Sequence, residues 1–305
     1  MEASHIKRSA LMSAFLRGHH AAHDHPVIFR DEWARKLLSK DELVAFEATM
    51  EQALEATLPD RAAAMPDRAA AVACMVRDYF PTSLFLSRAK YAEERLEEAM
   101  SRGVKQYVVL GAGMDTFLWR RKELADRLDV FEVDHPATQA FKQERLADLG
   151  WRIPQNARFV PADLTRQRLD EALRAAGFDS EAPSFFSWLG VIHYLPRDDA
   201  FATLRMIAGI CPAGSEIVFD YWDTEAFRPE RAAVRVGWML EMLRHAGEPM
   251  LTGLAPSAIA GQLREAGLHL REQMSPEAIQ ERYFLNRPAG YYAYEHAHFV
   301  RASVL

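Results

Sequence analysis

The chain changes its hydrophobic period once, near residue 103. Before that point apolar positions recur at helical spacing. Leu43, Phe46, Met50 and Leu54 fall on one face of a helix predicted over 41–58. Ser9 to Leu16 is mostly helix-forming, Asp31 can cap a helix running through Leu38, and a long helix or helix pair is predicted over 67–102, interrupted near Pro81. Pro59 and Pro66 break the pattern between them. From residue 104 short β-branched and aromatic runs alternate with helical stretches. Tyr107–Leu110, Val130–Val133, Ala157–Val160, Ser184–Trp188, Ser215–Phe219, Leu268–Glu272 and Tyr291–Arg301 read as strands. Helices are predicted over Ala137–Gly150, Thr165–Ala176, Asp198–Ile210 and Pro256–Ala266. The stretch 223–253 also reads as helical, with Trp238, Leu240, Met242 and Leu243 suggesting a packed face. Strand and helix in alternation predict an α/β domain around a mostly parallel sheet. The expected organisation is a helical extension over 1–103 and a core over 104–305, with a helical lid insertion at about 223–253.

The first strand of that core opens the stretch around which the chain is organised. Tyr107-Val108-Val109-Leu110 is followed at once by Gly111-Ala112-Gly113, where a ligand can approach bare backbone. Asp115 and Thr116 then offer capping side chains to a helical segment through Ala125. The second strand contains Glu132 and ends in Asp134, about twenty residues past the glycines, where a carboxylate can accept hydrogen bonds from ribose hydroxyls. The full dinucleotide pattern of three glycines is absent, and an aspartate at the helix start would repel a pyrophosphate. A nucleoside without phosphates, such as S-adenosylmethionine, fits better than NAD or ATP. An ordinary strand-to-helix turn of an α/β domain explains the glycines equally well on their own.

Composition narrows the partners. The 305 residues can form one large domain, or one domain with a sizeable lid. A hydrophobic fraction of 49% with 26% charged residues is globular. The net charge of −6 argues against nucleic acid, which needs a basic face. The two cysteines, Cys74 and Cys211, lack zinc-ligand spacing and suggest no disulfide framework, which points to a reducing cytoplasm. The first twenty or so residues lack the apolar core of a signal peptide. No stretch approaches the roughly 18 consecutive apolar residues of a membrane span. The expectation is a cytoplasmic protein, monomeric or homodimeric, with neither membrane nor nucleic acid as partner and no metal.

The wording of several stretches is more specific. "VVLGAGMDTFLWRR" with "VFEVDHPATQAFKQERL" resembles the leucine carboxyl methyltransferase family, including its bacterial branch of small-molecule O-methyltransferases. The lead-in "RAKYAEERLEEAMSRGVKQYVVLGAG" and the later "FVPADL" and "FFSWLGVIHYL" extend the resemblance from about Phe15 to Asp220. It implies a class I methyltransferase: a Rossmann-like seven-stranded sheet that uses S-adenosyl-L-methionine to methylate a carboxylate or hydroxyl of a small organic molecule, a secondary metabolite. The family's protein-methylating branch, which acts on a C-terminal carboxylate, and a NAD-binding oxidoreductase of similar topology are the alternatives.

The resemblance also assigns residues. It implies that Arg88 pairs with the carboxylate of the methionine moiety, as a guanidinium fork can. Gly111, Ala112, Gly113, Asp115, Glu132 and Asp134 belong to the cofactor set, Asp163 and Leu164 meet the adenine, and Trp188 and Leu189 lie beside the cofactor at the end of the fourth strand. Read alone, Arg88 is a solvated helix arginine and Asp163 a helix cap. Two positions depart from the family: Leu189 stands where many members have a glutamate, and Phe117 where many bacterial relatives have arginine. His193 is the candidate general base for a hydroxyl acceptor, with Tyr194 beside it. Both could instead only orient substrate or pack. Tyr221 and Trp222, expected to project from the fifth strand, are candidates for substrate stacking. His19, His20, His23 and His25 cluster, and His19 with His23 would share a helix face. No carboxylate or cysteine completes an obvious metal site. His19 and His20 are the candidate substrate contacts of the N-terminal lid.

Overall fold

A strand buried on both faces needs cover on both sides, and the sheet is built that way. The computed structural model describes residues 8–164, 167–285 and 290–305. Its seven strands are β1 Gln106–Leu110, β2 Asp129–Asp134, β3 Ala157–Pro161, β4 Ser184–Trp188, β5 Glu216–Trp222, β6 Leu268–Met274 and β7 Ala297–Val304. They form one sheet in the order β3-β2-β1-β4-β5-β7-β6. Strands β1 to β5 run parallel, and β7 inserts antiparallel between β5 and β6. The order reverses at β1, between β2 and β4. Ligands of open α/β sheets lie beyond the strand ends at such a reversal.

Side chains alternate across the strands. Val109, Val130, Phe185 and Val218 face one apolar cluster, which includes Leu84, Leu86, Tyr91 and Leu96 of α6 (Thr82–Ser101). Val108, Phe131, Phe186 and Ile217 face the other, against Leu169 and Leu173 of α10 (Leu169–Ala175), Leu204 of α11 (Arg197–Ile210) and Leu263 of α13 (Ile259–Glu265).

The chain before β1 is helical: α1 Arg8–His23, α2 Glu32–Lys36, α3 Lys40–Thr57, α4 Pro59–Ala63 and α5 Arg68–Cys74, a π-helical turn Met75–Tyr79, then α6. Asp31 caps α2 by accepting from the Ala34 amide, Ser39 and Glu42 form a capping box on α3, and Asp67 caps α5. These helices share a third cluster, in which Phe15, Leu37, Phe46 and Met50 pack with Met114 from the turn after β1. The N-terminal helices therefore sit on the strand tips.

Several boundaries differ from those predicted. The segment after the glycines is two short helices, α7 Phe117–Arg120 and α8 Lys122–Ala125, split at Arg121. Helix α9 spans Pro136–Asp148, with proline in its first turn. Thr165, the expected start of the next helix, lies outside the described residues, and α10 begins at Leu169. Asp220, Tyr221 and Trp222 do not project beyond β5 but belong to it, because β7 pairs with β5 as far as Trp222↔Ala297. Tyr291 to His296 is not strand. His296 has φ 66, which ends the extended run before β7, and the aromatic alternation there is Tyr291 and Tyr294 buried with Tyr292 exposed. The 223–253 segment holds a 3₁₀ turn, Thr224–Phe227, and a single helix, α12 Val234–His245. Helix α14, Pro276–Ile279, and a π turn at Gln280–Phe284 add to the predicted elements; Ser275 caps α14 and proline opens it.

Candidate active site

The turn after β1 is held open by its own backbone geometry. Gly111 has φ +68 and Gly113 φ +49, a region costly for residues with a side chain. A β-carbon on Gly111 would also collide with the side chain of Val191. The Gly111 and Ala112 amides donate to the Val133 carbonyl at 2.8 and 3.2 Å, which ties the turn to the β2 tip. Asp134, half-buried at that tip, accepts from the Gly113 amide at 2.5 Å and from the His135 amide at 2.6 Å. Asp115 is half-buried and accepts from the Phe117 amide at 2.7 Å, so it starts α7.

The turn is clamped from above by α1. Arg17 donates to the Met114 carbonyl at 2.7 Å and to Asp31 at 2.9 Å. Asp31 also accepts from the Thr116 hydroxyl and lies 3.7 Å from Arg120. Burial alone would raise the Asp31 carboxyl, but Arg17, Arg120 and the hydrogen bonds overcome it and hold the group below its usual range. The sequence offers no signal for Arg17 and marks Asp31 and Thr116 only as caps, yet the Thr116 hydroxyl donates to Asp31 and makes no cap bond to α7.

Arg88, on α6, is buried against the tips of β4 and β5. It donates to Asp220 at 3.0 Å and stacks over Phe85 with 4.5 Å to the ring centre. The other Asp220 oxygen accepts from the Gly190 amide at 2.6 Å. Gly190 has φ +72, and a β-carbon there would strike the Arg88 guanidinium. Asp220 is 1% exposed, so it meets these partners away from bulk solvent. Its signal was legible: an acid inside the apolar run IVFDYW needs a buried partner.

A cavity of about 470 Å³ opens beside Arg88. It brings together Arg88, His193, Tyr194 and Trp222 of the predicted residues, under Met12 of α1 and Met239 and Met242 of α12. His193 is buried, with its ring 4.4 Å from that of Tyr194 and edge-on to Trp222 at 6.3 Å. Its carbonyl accepts from the Leu251 and Thr252 amides, which holds the segment after α12 against the site. The Tyr194 hydroxyl is pushed up to about 12, first by burial and then by the Glu248 carboxylate, with Ser9 opposing. It is therefore a proton donor at neutral pH.

Other predicted residues lie elsewhere. Trp188 is fully buried in the sheet face away from α6, while Leu189 is half-buried on the α6 side. Glu132 is buried below the β2 tip and bonded to Lys142 at 2.5 Å. Burial raises its carboxyl, and Lys142 draws it back only in part. Asp163 and Leu164 are half-buried past β3, where the Asp163 amide donates to Gln167. Tyr221 lies one residue from Trp222 and so on the opposite sheet face, where it stacks on His298 and accepts from Gln273 at 2.9 Å. His20 is fully buried and uses both ring nitrogens, toward Asp24 at 2.8 Å and the Ile28 amide at 2.9 Å. His19 is buried among Phe15 and His23 and is lowered to about 4, first by burial and then by His23. Neither histidine lines the cavity. Phe117 packs edge-on to Tyr107, which explains why an apolar ring suits that position.

A parallel sheet with one antiparallel strand next to its edge, a glycine turn at the order reversal and an acid at the next strand tip define an S-adenosylmethionine-dependent methyltransferase of class I. The leucine carboxyl methyltransferase family matches residues 10–208, and the chain belongs to it. YktD of Bacillus subtilis (strain 168), provisionally named an S-adenosyl-L-methionine-dependent methyltransferase, is 35% identical over 96% of this chain and 96% of its own. The fold is also that of a DUF574 family protein of Streptomyces avermitilis MA-4680, with a TM-score of 0.56, 16% identity and 99% of both chains covered. A Thermobifida fusca YX protein, provisionally named a methyltransferase, has a TM-score of 0.54, 15% identity and 97% coverage of both chains.

Proposed function

We propose that this enzyme transfers the methyl group of S-adenosylmethionine to an oxygen of a small, largely apolar molecule, as part of secondary metabolism. The observation that carries the reading is the cavity, which joins Arg88 to His193, Tyr194 and Trp222 beneath a methionine-rich cover. Its volume lies in the range of small-ligand pockets. Among the described residues no helix is long and apolar enough to cross a membrane, and Cys74 and Cys211 are free and buried, which suits the reducing cytoplasm expected of the protein.

The residues at the strand tips fit the cofactor. The Gly111–Gly113 peptide is bare where a nucleoside would rest, and Asp134 can accept from ribose hydroxyls. Arg88 would hold the cofactor's carboxylate while keeping Asp220 as counter-ion, and Asp163 would meet the adenine amine. The bound cofactor supplies an already activated methyl group on a sulfonium. The protein's work is then alignment and exclusion of water. Helix α1 and α12 close the apolar side, Trp222 and Phe85 wall the acceptor, and His193 is positioned to take a hydroxyl proton as the carbon–oxygen bond forms. A methyl-label transfer assay against a panel of small phenols, alcohols and acids tests the reading. Transfer that needs both the cofactor and an acceptor supports it, and absence of transfer across the panel counts against it.

A further inference from the structure

We propose that Glu248 selects the acceptor: the cavity takes an apolar molecule that presents a hydroxyl or ammonium donor, and it turns carboxylates away. This deepens the reading of the same cavity as the acceptor site and rests on it. Glu248 follows α12 and reaches the cavity wall. Among the described residues its Oε1 accepts only a long 3.4 Å bond from the Ser9 amide. Its Oε2 is enclosed and meets no hydrogen-bond partner among the described residues. An enclosed carboxylate oxygen without a donor is costly, and because Glu248 lines the cavity, a turn of its side chain would bring that oxygen onto a donor carried by a ligand there.

The charge balance of the wall points the same way. Among the described residues Arg88 is the buried cation of the cavity; Asp220 pairs with it at 3.0 Å, and with the cofactor bound its remaining donors would be taken by the cofactor's carboxylate. Arg8 and His245 also line the cavity but are exposed, and His245 faces Glu241 at 3.4 Å. Glu241 is itself bonded to Arg244. A carboxylate entering between Phe85, Met12 and Trp222 would therefore meet Glu248 with no buried cation among the described residues to offset either charge. Like charges in an apolar setting cannot both stay ionised cheaply. A hydroxyl instead donates to Glu248. The inference divides hydroxyl from carboxyl acceptors, which the fold alone leaves open.

Three ligands on one apolar frame test it: 2-naphthol, 2-naphthoate and 2-naphthylmethylammonium, titrated by calorimetry into the full-length protein saturated with S-adenosylhomocysteine. The expected result is that the naphthol and the ammonium bind at least about tenfold more tightly than the carboxylate. Glu248→Gln, and independently Glu248→Ala, should bring the three within about threefold of one another. Equal or tighter binding of naphthoate to the wild type overturns the proposal, as does an unchanged ratio in both variants. Failure of all three ligands to bind overturns it too. Failure of S-adenosylhomocysteine to bind would instead sink the methyltransferase reading, and the ligand ratio is still measured on the protein alone.

Discussion

Arg88 and Asp220, 132 positions apart in the chain, meet as a buried ion pair at 3.0 Å, and the Gly190 amide completes the acid's coordination. The pair joins α6 to the tips of β4 and β5. Asp220→Ala leaves the Arg88 guanidinium buried without its counter-charge, and a broken buried pair costs about 3–5 kcal/mol. Chemical denaturation should show a loss of that order. Arg88→Lys keeps a charge but not the planar fork. Calorimetry should find S-adenosylmethionine bound at least about tenfold more weakly, or about 1.4 kcal/mol, with a smaller loss of stability. Unchanged affinity in Arg88→Lys would remove Arg88 from the cofactor site.

Gly111→Ala places a methyl group against Val191 and forces an L-residue to φ +68. The conformational part alone costs about 1–2 kcal/mol. Adding Val191→Ala should relieve the collision but not the backbone strain, so the double variant should recover only part of the lost stability and cofactor affinity. Full recovery would show that sterics alone demand glycine there.

The turn, the acid at its partner strand and the first six strands were legible because each is local: a β-branched run, two glycines, a carboxylate at a fixed offset. The Ser39–Glu42 box and the Asp31 and Asp67 caps are local too, and the helices start there. What was hidden depends on pairing across the chain. The reach of β5 to Trp222 depends on β7, about eighty residues later in the chain, and only that ladder shows that Tyr221 and Trp222 serve opposite faces. The engagement of His20 with Asp24, itself bonded to Tyr291, 267 positions away, is equally invisible in the histidine cluster. Glu248 lies in a stretch with no distinctive pattern, and only the cavity gives it a role.

For His193→Ala the outcome depends on the acceptor. With a hydroxyl acceptor, loss of a general base typically removes about 10²–10⁴ of the rate. With a carboxylate acceptor the loss should be small, because no proton has to leave. Turnover measured on matched hydroxyl and carboxyl substrates separates the two. Full rate on the hydroxyl substrate would leave His193 with only a packing role against Tyr194 and Trp222.

His19 couples stability to pH. Its folded value is lowered to about 4 from an ordinary 6.5, chiefly by burial. Between those values the unfolded chain binds a proton that the folded protein does not, so stability should fall as pH drops from 6.5 toward 4. Glu132 opposes this, because its raised carboxyl costs stability as pH rises from its ordinary 4.5. Denaturation midpoints of wild type and His19→Gln across this window isolate the histidine. The variant should lose less stability toward pH 4, and an identical pH profile would show that His19 titrates alike in the folded and unfolded chain.

S-adenosylmethionine is proposed to lie across the tips of β1, β2 and β3. A crystal structure of the complex with S-adenosylhomocysteine tests it most directly. The ribose diol is expected on Asp134, the chain of the nucleoside against the Gly111–Gly113 peptide, and the amino-acid carboxylate on Arg88. A ligand found away from these residues would contradict it.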